Sequence, residues 1–167
     1  MYKFCPSCGK KINKRVNKNF VCKDCRFSFY ANPRPTSSII PIFKKSILVY
    51  KRAFNPSLGK IDLIGGFLEY GEDPLQGGIR EFYEETGIKL KSKDIEYLGI
   101  FMGKYPFKGE VYSTLNIIYT TLLDKKITPK ASDEIGEFLW IPVDKTYKFA
   151  FAPIEDALNL VKEKINS

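Results

Sequence analysis

GFLEYGEDPLQGGIREFYEETGI, Gly66 to Ile88, holds a helix and both of its caps in one stretch. Asp73 suits an N-cap, because its short side chain can accept from the free N–H groups of the first turn. Pro74 follows at the first helical position, where its missing N–H would have had no partner. Gln76 stands where a capping box would close. Gly87 suits the left-handed residue that ends a helix. The spacing therefore predicts a helix over 74–86. At about 100° per residue, Leu75, Ile79, Phe82 and Thr86 fall on one narrow stripe that faces a core. Glu81, Glu84 and Glu85 lie at i, i+3 and i+4 and share a second face. Glu72 precedes the helix and can fold back over its first turn.

An acidic helical face is ordinarily a solvated surface. This one carries penalties that a solvated face has no reason to accept. No Lys or Arg stands three or four residues after Glu81 or Glu84. Glu81 and Glu85 form a like-charge i,i+4 pair that costs a few tenths of a kcal/mol. Adjacent Gly77 and Gly78 each cost about 1 kcal/mol relative to Ala in a helix. They either admit a close approach by a loop or ligand, or reflect drift toward a weaker helix. Carboxylates held together in this way suit a hard cation such as Mg²⁺ or Mn²⁺, which takes oxygen ligands.

Five residues separate Gly66 from Glu72 and seven separate Glu72 from Arg80. Glu81, Phe82, Glu84, Glu85, Gly87 and Ile88 follow. This is G-x5-E-x7-R-E-U-x-E-E-x-G-U, with U apolar, and the chain resembles the Nudix hydrolases. The resemblance implies an α+β fold, the Nudix α/β/α sandwich, and metal-dependent cleavage of a diphosphate in a nucleotide. It implies that Glu81, Glu84 and Glu85 ligate Mg²⁺ or Mn²⁺, with the carbonyl of Gly65 as a further ligand. Arg80 is expected to orient the glutamates through salt bridges, with Glu72 supporting the loop. For the general base, Glu85 is one candidate. Some family members use a loop carboxylate after the box, a place held here by Glu134, with Glu137 as its rival.

Cys5-Pro6-Ser7-Cys8 and Cys22-Lys23-Asp24-Cys25 use all four cysteines of the chain. Four thiolates in two such knuckles read as a closed tetrahedral structural Zn²⁺ site. Two disulfides or a redox pair are the alternatives. The absence of a signal peptide and of a βαβ context weighs against both. The chain has no histidine. That excludes a His base, a His ligand and every Ser-His or Cys-His device.

Charge is divided as sharply as the motifs. Residues 1–35 hold nine basic residues and one acid, which is the whole net charge of +8, and the remainder holds eighteen of each sign. Lys10, Lys11, Lys14, Arg15 and Lys18 cluster between the knuckles, with Phe20, Phe27, Phe29 and Tyr30 nearby. Such a surface could hold RNA. Equally, the charge could be solubilising and the aromatics the core of the ribbon.

Length and 44% hydrophobic content suit one main domain beside the ribbon. We place a zinc ribbon and linker at 1–35 and the Nudix domain at 36–167, with the joint at Asn32-Pro33-Arg34-Pro35. A hairpin is expected over 36–43 and 46–53, turning at Lys44-Lys45. A short strand is expected at 60–64. Long strands at 95–103 and 110–122 should flank a loop at 104–109. A strand at 136–141 and a helix from Pro153, burying Ile154, Ala157, Leu158 and Val161, complete the pattern. No apolar run is long enough to span a membrane, and a cytoplasmic location is expected. Oligomeric state stays open, a homodimer included.

A ribbon before a Nudix domain also resembles the NADH diphosphatases, which can remove NAD caps from RNA. Those enzymes carry Ser-Gln-Pro-Trp shortly after the box, where this chain has Gly103-Lys104-Tyr105-Pro106-Phe107. The sequence thus points to hydrolysis of an ADP-ribose-like or related nucleotide diphosphate, with NAD(H) or capped RNA as the alternative. Tyr105 and Phe107 could stack a base. A reading of another class is a non-catalytic, RNA-binding zinc-ribbon protein, against which the intact glutamates speak.

Overall fold

The computed structural model describes residues 2–13, 18–129 and 135–166. The chain divides into two units, Met1–Pro33 and Arg34–Ser167. The first is a ribbon with one two-stranded sheet, β1 (Phe20–Val21) against β2 (Ser28–Phe29). Tyr2, Phe20, Phe27 and Phe29 pack on one another with ring centroids 5.3 to 6.3 Å apart. These aromatics are therefore the ribbon's own small core. Tyr30 is exposed.

The second unit is built on β3 (Arg34–Phe43), β4 (Ser46–Arg52), β5 (Ile61–Asp62), β6 (Ile64–Phe67), β7 (Ile95–Phe107), β8 (Glu110–Leu122) and β9 (Ile135–Pro142). The sheet runs β5-β4-β3-β8-β7, with β6 also paired to β3 and β9 to β4. β3 and β8 are parallel, and the other pairs are antiparallel. The unbroken apolar runs 39–42 and 47–50 show that both faces of the central strands are covered. Ile40, Ile42, Ile47 and Val49 join one core with Ile154, Ala157, Leu158 and Val161 of α2 (Pro153–Asn166). Ile39, Leu48 and Tyr50 join the other with Phe82 of α1 (Pro74–Thr86). The result is a mixed sheet between two helices. No helix among the described residues is long and apolar enough to cross a membrane.

Two strand expectations need correction. The loop at 104–109 shrinks to the two-residue turn Lys108-Gly109, both at positive φ (48° and 76°), and residues 104–107 continue β7. Paired positive φ values match the right-handed twist of the strands, so the hairpin closes without a longer loop. The strand at 60–64 is two strands, β5 and β6, which pair with different neighbours.

α1 begins and ends at the expected residues. Asp73 accepts from Leu75 and Gln76 N–H, and Gly87 (φ 71°) donates to the Tyr83 carbonyl. The capping-box expectation for Gln76 fails, because its amide turns to the Ser92 hydroxyl instead. The glycine pair has a packing cause. A Cβ on Gly78 would lie 2.6 Å from Ser37 Oγ and 3.4 Å from Ile39, so what approaches here is strand β3. Ser37 is fully buried and donates to the Pro74 carbonyl at 2.7 Å, which leaves it no room to yield.

Gly78→Ala tests this. Overpacking costs about 1–3 kcal/mol, against about 1 kcal/mol gained in helix propensity. Chemical denaturation should show a net loss. A more stable variant would show that helix and sheet are not in close contact here.

Candidate active site

The box folds around one guanidinium. Arg80 Nε and Nη2 grip both oxygens of Glu72 at 2.8 and 3.0 Å, and Nη2 also reaches the Phe67 carbonyl at 3.3 Å. Its Nη1 donates to Glu81 at 2.9 Å and to Glu84 at 3.0 Å. An arginine has five N–H donors, and all five are used. Glu72 also accepts the Glu69 N–H at 2.9 Å. These bonds hold its carboxyl down to about 2, Arg80 first and the Glu69 N–H second. Looking forward from the glutamates for a base misses this partner. Arg80 stands four residues before Glu84, on the same face of α1.

Glu85 is placed differently. It makes no bond to Arg80 and accepts the Gly65 N–H at 2.9 Å. Burial pushes its carboxyl up to about 8, against the pull of that N–H, and the charges of Glu81 and Asp62 add to the rise. Glu81 is also raised, by burial first, with Arg80 opposing. A Cβ on Gly66 would come 2.5 Å from the Glu81 carboxylate and would displace it from its bond with Arg80. Gly65 has φ 146°, a conformation that favours glycine, and its Cβ would collide with β3.

The NUDIX domain family model matches residues 32–159. This chain belongs to that family. An ADP-ribose pyrophosphatase of Methanocaldococcus jannaschii is 30% identical over 145 residues, covering 86% of this chain and 80% of that protein. The NAD-capped RNA hydrolase NudC of Haemophilus influenzae (strain PittGG) is 35% identical over 103 residues, covering 59% of this chain. The chain spans 38% of that relative's length. Among solved structures, a NUDIX hydrolase from Nitrosomonas europaea has TM-score 0.64 at 24% identity, over 99% of this chain and 91% of its own. The NUDIX domain of Shewanella oneidensis NrtR, solved with ADP ribose, has TM-score 0.67 at 18% identity, over 81% and 90%. These two establish likeness of fold.

Beside the Nudix glutamates lies a cleft of about 180 Å³, bounded by Gly65, Gly66 and Phe67 on one side and by Tyr105 and Phe151 on another. Tyr105 packs on Phe67 (5.5 Å) and Phe151 (5.4 Å), so the loop-based stacking expectation moves to a strand residue in a cleft. Phe107 packs on Tyr105 at 6.4 Å and is largely exposed. Sequence reading missed Tyr50, Arg52 and Asp62 on the cleft floor. Arg52 Nη1 meets Asp62 at 2.6 Å, and the pair is largely buried. Burial raises the Asp62 carboxyl, and Arg52 opposes that rise. No local motif marks these residues, because only the β4–β5 register brings them together.

Glu134 lies outside the described residues. Glu137, its rival, sits on β9 directly across from Lys51 and bonds to it at 3.0 Å.

In the ribbon, Cys5, Cys8, Cys22 and Cys25 are free thiols whose sulfurs all lie within 4.8 Å of one another. Among the described residues they are the one such gathering of three or more donors. The Nudix carboxylates, spread by Arg80 and Gly65, are not drawn to one point. The two knuckles repeat one turn. Gly9 (φ 73°) donates to the Cys5 carbonyl as Arg26 (φ 64°) does to that of Cys22. Cys5 N–H bonds the Lys10 carbonyl as Cys22 N–H bonds that of Phe27. The pairs Cys5–Cys25 and Cys8–Cys22 stand 3.6 Å apart. A tetrahedral ion with metal–sulfur bonds of about 2.3 Å needs sulfurs about 3.8 Å apart, so the set fits one tetrahedral metal.

The position of Glu85 has a pH signature in the metal-free protein. Between its ordinary 4.5 and about 8, the folded chain keeps a proton that the unfolded chain has lost. Stability therefore falls as pH rises through this window, by up to about 1.4 kcal/mol per pH unit from this group. Denaturant titrations across the window should show that slope reduced in Glu85→Gln. Identical pH dependence in the two proteins would contradict the buried placement.

Proposed function

We propose that this chain is a metal-dependent hydrolase cleaving the diphosphate of a nucleoside diphosphate linked to a second group, with an ADP-ribose-like substrate. The observation that carries this is the charge balance of the box. Three carboxylates share one guanidinium, and a fourth, the partly buried Glu85, has no cationic partner within hydrogen-bonding distance. An all-oxygen donor set of this kind fits Mg²⁺ or Mn²⁺. We assign Glu81, Glu84 and Glu85 as its holders, with the Gly65 carbonyl as a further oxygen. The similarity to the archaeal ADP-ribose pyrophosphatase, which covers most of both chains, favours the substrate class.

Each residue then has a task. Arg80 fixes Glu81 and Glu84 relative to the loop through its bonds to Glu72 and Phe67. Glu85, held by the Gly65 N–H beside the cleft, is our assignment for the carboxylate that takes the proton of the attacking water; Glu134 is the rival. A bound divalent cation supplies neutralisation of the phosphate oxygens and a lowered pKa for water.

A second reading, removal of NAD caps from RNA, is favoured by the similarity to NudC and by the basic ribbon. A product-resolved assay of ADP-ribose, NADH and NAD-capped RNA, with Mg²⁺ or Mn²⁺, separates the two. We expect metal-dependent release of AMP from ADP-ribose. Glu84→Gln and Glu85→Gln should each lower kcat by about 100-fold or more, and Glu134→Gln should stay near wild type. Near-normal turnover in both box variants, with intact folds, would overturn the assignment.

For the ribbon we propose a structural Zn²⁺. One zinc per chain should co-purify, and Cys8→Ser or Cys25→Ser should lose it together with the order of Met1–Pro33, since so small a unit lacks a sufficient core of its own. Metal analysis finding no zinc, or mass analysis finding disulfides, would refute this.

A further inference from the structure

Tyr50 is only 6% exposed, yet its hydroxyl makes no hydrogen bond with any described residue and lines the cleft beside the glutamates. Among the described residues no buried side-chain oxygen lacks a partner, so this hydroxyl reaches the open cleft, where it is available to a ligand. Tyr50 and Asp62 oppose each other directly across β4 and β5, and Arg52 lies along the same face. Arg52 is fixed by three contacts: Nε to the Pro56 carbonyl at 2.6 Å, Nη1 to Asp62, and its plane 5.4 Å from the Phe151 ring. Its Nη2 bonds no described residue and remains available as a donor.

Three other polar side chains of the cleft, Thr36, Thr114 and Asn116, satisfy each other, while Ser38 and Lys104 bond no described residue. Asn116 donates to the Phe101 carbonyl and to Thr114 Oγ1, and it accepts from Thr36 Oγ1. Both of its amide hydrogens are spent. The aromatic wall of Phe67, Tyr105 and Phe151 has no such saturation, since a ring face accepts any flat partner. At about 180 Å³ the cleft is smaller than the ~300–1,000 Å³ of sites that enclose drug-sized ligands. It takes one half of a dinucleotide-like substrate.

We propose that this cleft is the half-site for a 5′-ribonucleotide: the base packs on Tyr105 and Phe151, and Tyr50 and Arg52 donate to the ribose-phosphate oxygens. The base is held chiefly by its face, and the Asn116 amide, already engaged, does not read its edge. The proposal rests on the function given above and names which residues select the substrate.

The test is titration calorimetry of the full chain, zinc retained and Mg²⁺ present, with AMP, CMP, nicotinamide mononucleotide and ribose 5-phosphate. These ligands need no hydrolysis, so a failed activity assay would sink the proposed reaction without touching this result. AMP should bind at least about 10-fold tighter than ribose 5-phosphate, as stacking predicts, and CMP within a few-fold of AMP. Tyr50→Phe, which keeps the ring, should weaken AMP about 3–10-fold, the loss of one hydrogen bond. Tyr105→Ala should weaken AMP about 5–100-fold and offers a second variant should the first misfold. The tighter of AMP and nicotinamide mononucleotide identifies which half of a dinucleotide the cleft holds. Equal AMP binding by wild type and folded Tyr50→Phe, or ribose 5-phosphate binding as well as AMP, would overturn the proposal.

Discussion

Five hydrogen bonds from a single guanidinium hold the Nudix box in shape. Arg80 joins the loop ahead of α1, through Glu72 and the Phe67 carbonyl, to the helix face, through Glu81 and Glu84. Most of these partners are well shielded, with side-chain exposures of 25% for Arg80, 15% for Glu72 and 18% for Glu81. The bidentate Glu72 contact therefore belongs with strong, oriented pairs and not with the weak ion pairs of an open surface. The glycines follow from it. Drawing Glu81 in presses its carboxylate onto Gly66, and drawing Glu72 in leaves 2.8 Å between its Oε2 and a Cβ on Gly77. The spacing of the motif is the spacing of these contacts.

The same device sorts the glutamates. One positive charge shared among Glu72, Glu81 and Glu84 leaves Glu85 to a backbone N–H and to burial. Glu72 is held ionised well below the ordinary carboxylate range, and burial keeps Glu85 protonated well above it. Four acids can thus sit together in one stable site. The family's sequence pattern and the electrostatics of this chain meet at that point.

Much of this was legible in the residues. The limits of α1, its cap at Asp73 and its buried stripe followed from local rules that do not depend on the rest of the chain. The four-cysteine knuckles were legible for the same reason. What stayed hidden depends on register between distant strands. Tyr50, Arg52 and Asp62 carry no motif, and only the pairing of β4 with β5 sets them on one floor. Gly78 was ambiguous because its cause, Ser37, lies about forty residues earlier. The hairpin turn at Lys108-Gly109 was overlooked because Pro106 resembles a loop residue, although an edge strand such as β7 tolerates a proline.

The arrangement of the site depends on Arg80, and the ionisation of Glu72 reports on it most directly. Carbon-detected NMR titration of the metal-free protein should find the Glu72 carboxyl near 2, against an ordinary 4.5. A group held down in this way contributes stability above its ordinary value that is lost as pH falls from about 4.5 toward 2. Arg80→Lys keeps the charge but offers three donors in place of five. In that variant the Glu72 midpoint should move up toward 4.5, with the acid-side loss of stability reduced. A Glu72 that titrates near 4.5 in the wild type, or that stays near 2 in Arg80→Lys, would contradict the claim that the five-donor fork organises this site.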